Sequence, residues 1–202
     1  MSAAALTALL PLLVLAGTVV LLMLAIAVFR HRTLSTAIVL AGLAVALLMI
    51  LPASQVAPQP VTDLLLIDGY ALFYIGLLLA AALVVAVLSH GYLGGQPGLR
   101  EEYGLLLLLA TLGSAVLAAS AHFASFFLGL EILSVSLYGL IAYPRHRERS
   151  LEAGVKYLIL AAASSAFLLF GMALAYADQG TLAFQDLILP RVTFAARPLN
   201  PL

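Results

Sequence analysis

The stretch Phe123–Tyr143, FASFFLGLEILSVSLYGLIAY, decides how this chain is read. It is apolar over the length of a bilayer crossing, which takes about 20 residues at 1.5 Å each, yet it carries Glu131 near its middle. An ionised carboxylate at the centre of a spanning helix costs roughly 2.5–3.5 kcal/mol on insertion scales. A chain that keeps one there provides a partner, a proton or a hydrated cavity. Ser134 and Tyr138 follow at i+3 and i+7 and share the helical face of Glu131. That stripe suits a hydrated file. The plainer alternative is a protonated glutamate satisfied by an interhelical hydrogen bond.

Five more stretches are long enough to cross: about Leu6–Phe29, Leu34–Leu51, Leu64–Ser89, Tyr103–Ala121 and Leu151–Tyr176. Breakers separate them at Arg30-His31-Arg32, Pro52–Pro60, Gly91–Arg100 and Tyr143–Ser150. Only Ala121-His122 divides the fourth segment from the fifth, so one long helix is the competing reading there. Backbone groups in lipid are satisfied internally, and runs of this kind therefore form helices. The expected fold class is all-α, a polytopic membrane protein of about six transmembrane helices.

Composition agrees. Hydrophobic residues make up 64% of the 202 and charged residues 9%, where soluble domains carry about 25% charged. The zero net charge offers no basic face for nucleic acid. Without cysteine there is no disulfide, thiolate metal site, iron–sulfur cluster or cysteine nucleophile. His31, His90, His122 and His146 all lie outside the deep apolar runs, which argues against a haem held between crossings. Tyrosines such as Tyr92, Tyr103, Tyr143 and Tyr176 are left to form any aromatic belt, since tryptophan is absent. The first segment lacks a basic region before it and is too long for a signal peptide, so it is read as a retained helix.

Orientation follows the arginines. Arg30, Arg32, Arg100, Arg145, Arg147 and Arg149 follow the first, third and fifth segments, while the N-terminus and the loops after the second and fourth hold no Lys or Arg. The N-terminus is therefore expected outside, periplasmic in a bacterial inner membrane. Beyond Ala177, Leu182–Leu189 is too short to span, and Pro190, Pro198 and Pro201 break up the remaining residues. A chain closing on Arg197-Pro198-Leu199-Asn200-Pro201-Leu202 reads as cut short.

A second polar group opens the sixth segment. Glu152 and Lys156 stand at i and i+4, the favourable order for a helical ion pair. Glu152 also sits near the positive end of the helix dipole. The interfacial reading has Lys156 snorkelling outward. Counted from the Pro144–Ser150 turn, Glu131 lies about 18–20 Å deep and Lys156 about 9 Å. Direct contact is not expected, and a water-bridged relay between them is. Weaker signals are assigned structural roles: Asp68 a cap, His122 an interfacial turn, Thr111, Ser114, Ser164 and Ser165 helix contacts. Arg145, His146, Arg147 and Arg149 are a topology signal, with anionic headgroups as the alternative. Gly94–Gly98 precedes no dinucleotide-binding pattern.

The run Phe127-Leu128-Gly129-Leu130-Glu131-Ile132-Leu133-Ser134, then Tyr138, Ala142-Tyr143 and Arg149-Ser150-Leu151-Glu152-Ala153-Gly154-Val155-Lys156-Tyr157, resembles a known family. So do Ala163–Gly171 and Ile67-Asp68-Gly69-Tyr70. The family is the subunit N type of bacterial NADH:quinone oxidoreductase (respiratory complex I), antiporter-like proteins related to multisubunit cation/proton antiporters. The resemblance is densest between residues 120 and 180. It implies a membrane-arm subunit that translocates protons, driven by quinone reduction elsewhere, with other membrane-arm subunits and the lipid bilayer as partners. It implies no cofactor bound by this chain, NAD and quinone being used by the whole complex, and no catalysis by the chain alone. The proton-path residues it implies are Glu131, Lys156 and Glu152, to which the shared face adds Ser134 and Tyr138.

Family members hold two inverted repeats of five helices with broken helices at the proton path. Residues 1–101 would then carry the first three helices, 102–178 the start of the antiporter-like domain, and 179–202 a non-spanning tail. The broken seventh helix, with the lysine that pairs with the Glu131 position, and the second repeat lie beyond this stretch. Two other readings stay open: a sodium/proton antiporter subunit, and a structural module packing through small-residue surfaces at Ala80–Ala82 and Ala161–Ala163.

Overall fold

The computed structural model describes residues 2–28, 31–92, 101–143 and 148–188. The apolar runs form helices as expected: α1 Ala3–Val28, α2 Arg32–Leu48, α3 Ile50–Val56, α4 Gly69–Tyr92, α5 Glu101–Ala118, α6 Phe123–Ile141, α7 Glu148–Gln179 and the short α8 Phe184–Ile188. Five spans are long and apolar enough to cross a membrane, with α2 and α3 forming one span from Arg32 to Val56. The sixth expected crossing, α5, is a shorter apolar helix.

Three boundaries differ from expectation. The second crossing runs through Pro52 to Val56. Pro52 is the third residue of α3, where the backbone N–H would have no intrahelical acceptor, so the ring costs little. The third crossing begins at Gly69 and not at Leu64, because Leu65–Ile67 is a strand, β2, paired antiparallel with β1, Gln59–Thr62. Asp68 caps the helix after it: its Oδ1 accepts from Ala71 N at 2.7 Å. The last crossing starts at Glu148, so Arg149 and Ser150 belong to helix, and it ends at Gly180. Gly180 has φ +72° and its N–H bonds Tyr176 O at 2.8 Å, a left-handed cap that glycine adopts freely.

The division at His122 is real. His122 is extended, and its Nδ1 accepts from Ala124 N at 3.0 Å, capping α6. The β-hairpin docks against this turn. Leu66 N donates to Ala119 O at 2.9 Å, and Ala121 N donates to Leu64 O at 2.9 Å. The Ser125 hydroxyl reaches the same Leu64 carbonyl at 2.6 Å. Edge groups of the two-stranded sheet thus satisfy the groups left open where α5 ends.

α5 is the central helix and packs on α1, α2, α4 and α6. Leu22, Leu43, Leu79 and Leu108 are fully buried between these helices. Leu24, Leu51, Leu88 and Phe167 are exposed on the outer faces of their helices. Of the arginines used for orientation, Arg32 and Arg149 are described, while Arg30, Arg100, Arg145 and Arg147 lie outside the described residues, as do His146, Gly94–Gly98, Pro190, Pro198 and Pro201.

Candidate functional site

Small residues fix the position of α6. A Cβ at Gly113 on α5 would meet Leu133 N at 2.6 Å and Gly129 O at 2.8 Å. A Cβ at Gly129 would meet Gly113 O at 2.9 Å. Backbones that approach this closely exclude any side chain between them, the small-residue contact common in membranes. Glu131, two residues beyond Gly129, is thereby carried on the best-seated part of α6.

On its other side α6 pairs with α7. Near the start of α7 a Cβ at Gly154 would lie 2.7 Å from Ala142 Cβ. From Ala142 back to Glu131 is eleven residues, and from Gly154 forward to Ser165 is also eleven. Both are therefore about 16 Å along the helix axes from that contact, at one depth. The Ser165 hydroxyl donates to Glu131 Oε1 there. At the opposite end of the pair Phe123 N bonds Leu182 O and Phe184 N bonds Ala121 O, each at 3.0 Å. Phe184 packs edge-on to Phe123 with centroids 5.0 Å apart.

Between these ties α6 and α7 part to leave a cleft of about 620 Å³. Ser134, Ser164, Ser165 and Tyr157 supply its polar lining, and Leu130, Leu133, Leu160 and Leu168 its walls. The cleft is polar enough in places, and large enough, to hold water. A larger apolar groove of about 730 Å³ beside α4 and α5, with Asp68 among its lining residues, contains none of the five expected proton-path residues.

Those five divide into two groups. Glu131 is half-buried and bonded to α7; Ser134 lines the cleft; Tyr138, half-buried, lies one turn further and does not line it. Glu152 and Lys156 pair with each other at 2.5 Å, with side chains 61% and 69% exposed. Lys156 is nine residues short of Ser165, about 13–14 Å along the axis from the depth of Glu131, so the two do not meet directly. Sequence spacing alone assigns Ser165 no more than a helix contact. The signal that identifies it is the antiparallel register, in which position numbers on the two helices sum to a constant. Thr111 and Ser114 donate to carbonyls of their own helix, Leu107 O at 2.8 Å and Ala110 O at 2.9 Å, and Ser114 also lines the groove beside α4 and α5.

Residues 120–197, which contain α6, α7 and the cleft between them, match the family described as NADH:quinone oxidoreductase/Mrp antiporter, transmembrane region. A relative in Ectopseudomonas mendocina (strain ymp), NADH-quinone oxidoreductase subunit N, is 52% identical over 185 residues, covering 89% of this chain and 37% of the relative. The chain thus spans little more than a third of that relative's length. Among solved structures it is similar to a chain of respiratory complex I from Thermus thermophilus, with TM-score 0.75 and 33% identity over 86% of this chain and 38% of the other. A chain of the archaeal membrane-bound sulfane sulfur reductase shares the fold, with TM-score 0.75 at 24% identity, over 92% of this chain and 39% of the other. The all-α, multi-pass architecture read from the sequence is that of the antiporter family.

Proposed function

We propose that this chain is part of a membrane-arm subunit of a proton-pumping NADH:quinone oxidoreductase and carries part of a proton path. The observation that supports the reading most is Glu131, half-buried on α6 and hydrogen-bonded across to α7 beside a cleft with polar lining. In this reading a proton moves between Glu131 and the inner surface by way of water in the α6–α7 cleft, past Ser134, Ser164 and Tyr157. The Glu152–Lys156 pair forms the inner terminus. Tyr138 borders the path one turn inward of Ser134. The chain itself holds no redox group and is not catalytic alone. NAD and quinone belong to the other subunits, and the energy of quinone reduction arrives through contacts with neighbouring membrane-arm subunits. Residues 1–101 and 102–178 divide as the three leading helices and the start of the antiporter-like domain, with 179–202 as a non-spanning tail. The N-terminus faces the periplasm.

The test is E131Q in the full-length subunit of an assembled complex in sealed inside-out vesicles. We expect NADH-driven proton uptake to fall to background with the complex present at its normal level. Proton uptake at the wild-type rate, even with Lys156 neutralised as well, would instead make the chain a structural module. The antiporter half of the family's description favours a second reading, sodium/proton exchange, and a requirement for sodium in the same assay would select it.

A further inference from the structure

We infer that Ser165 is a positioning residue for Glu131, holding its carboxyl from α7 so that proton exchange depends on how α7 is seated. This rests on the proton-path reading above. The Ser165 hydroxyl donates to Oε1 of Glu131, and Oε2 takes no hydrogen bond from the described residues. One oxygen is thus held by Ser165, which itself lines the cleft, and the other is left without a hydrogen bond among the described residues. Of the described residues of α7, only Gly154 and Met172 are buried, and its one extensive helix contact is with α6. The Gly154–Ala142 contact is tight and sits at the inner end. The outer hydrogen bonds, Phe123 N to Leu182 O and Phe184 N to Ala121 O, lie beyond the left-handed Gly180 and hold the loop after the helix, not the helix itself.

Within the described residues Ser165 lies about 16 Å along α7 from the tight Gly154–Ala142 contact. A tilt of about 5° moves its hydroxyl by roughly 1.4 Å, enough to break a hydrogen bond. Small displacements of α7 then switch Glu131 between a held and a released carboxyl. A bond between two helices that only tertiary register brings together is suited to that role.

The experiment uses the assembled complex in vesicles and records two signals for S165A, S165T and E131Q. One is the rate of NADH-driven proton transport. The other is the carboxylic C=O stretch of Glu131 in infrared difference spectra, identified by its loss in E131Q. We expect S165A to slow transport by about three- to tenfold, the range set by losing one hydrogen bond, and to raise the stretching frequency. S165T, which keeps the hydroxyl, should restore both. Transport at the wild-type rate in S165A alongside an inactive E131Q overturns the role of Ser165 and leaves the proton path standing. A normal rate in E131Q removes the proton path and this inference with it. Slower transport without a frequency change, or without rescue by threonine, assigns Ser165 to packing and also overturns it. If S165A fails to assemble, S165C, similar in size but a weak donor, is judged by the same criteria.

Discussion

Glu152 and Lys156 form a bond that needs nothing beyond their own helix. They are one turn apart on α7, 2.5 Å between Nζ and Oε1, with both side chains largely exposed. Pairs of this kind contribute about 0.2–0.5 kcal/mol to a helix, because solvent screens them and their long side chains lose freedom. E152Q should therefore leave the melting temperature of the purified protein nearly unchanged, while leaving Lys156 without its anionic partner at the proposed inner mouth of the path. If that pair serves proton entry, transport changes although stability does not. A large drop in melting temperature would mean that the pair supports the fold, and would remove the ground for placing it in the path. Glu131 is the opposite case, since its partner comes from another helix and only tertiary register supplies it. Sequence spacing reveals the first kind of bond directly. It conceals the second, which is why Glu131 was legible from burial cost alone and Ser165 was not.

Helix packing gives a sharper test. At Gly113 and Gly129 an added Cβ would press into backbone at 2.6–2.9 Å, and backbone cannot rotate away as a side-chain tip can. G113A and G129A should each destabilise the protein by about 1–3 kcal/mol, the usual cost of overpacking. Gly171 on α7 is the control, with nothing within 4 Å of the added Cβ. There alanine should be neutral or stabilising by up to about 1 kcal/mol, since it is the better helix former. Thermal unfolding of the three variants in one detergent checks the order; equal effects at all three sites would mean that α5 and α6 do not approach this closely. The helices themselves were legible because lipid leaves the backbone no other way to bond. The β-hairpin was not. Leu64–Ile67 reads as the apolar start of a crossing, and its extended form is stabilised by the carbonyl of Ala119 and the N–H of Ala121, more than fifty residues away.

Over the whole molecule, charge separates by end. The hairpin turn with Asp63, the cap Asp68, and Asp178 and Asp186 near the close of α7 gather at one end, where the described residues include no Lys or Arg. Arg32, Arg149 and the Glu152–Lys156 pair lie at the other. Arginine-bearing short loops stay on the cytoplasmic side during insertion, so the aspartate end should face the periplasm. The chain has no native cysteine, which makes single-cysteine labelling clean. Asp63 and Glu148 are both exposed and sit at opposite ends. In intact cells a membrane-impermeant maleimide should modify D63C, whereas E148C should react only after the membrane is opened. The expectation is strict, because the crossings alternate and one inverted helix would carry arginines to the outside. Labelling of E148C in intact cells would reverse the orientation. The inner terminus assigned to Glu152 and Lys156 would then open to the periplasm, and the direction of the proposed proton path would reverse with it.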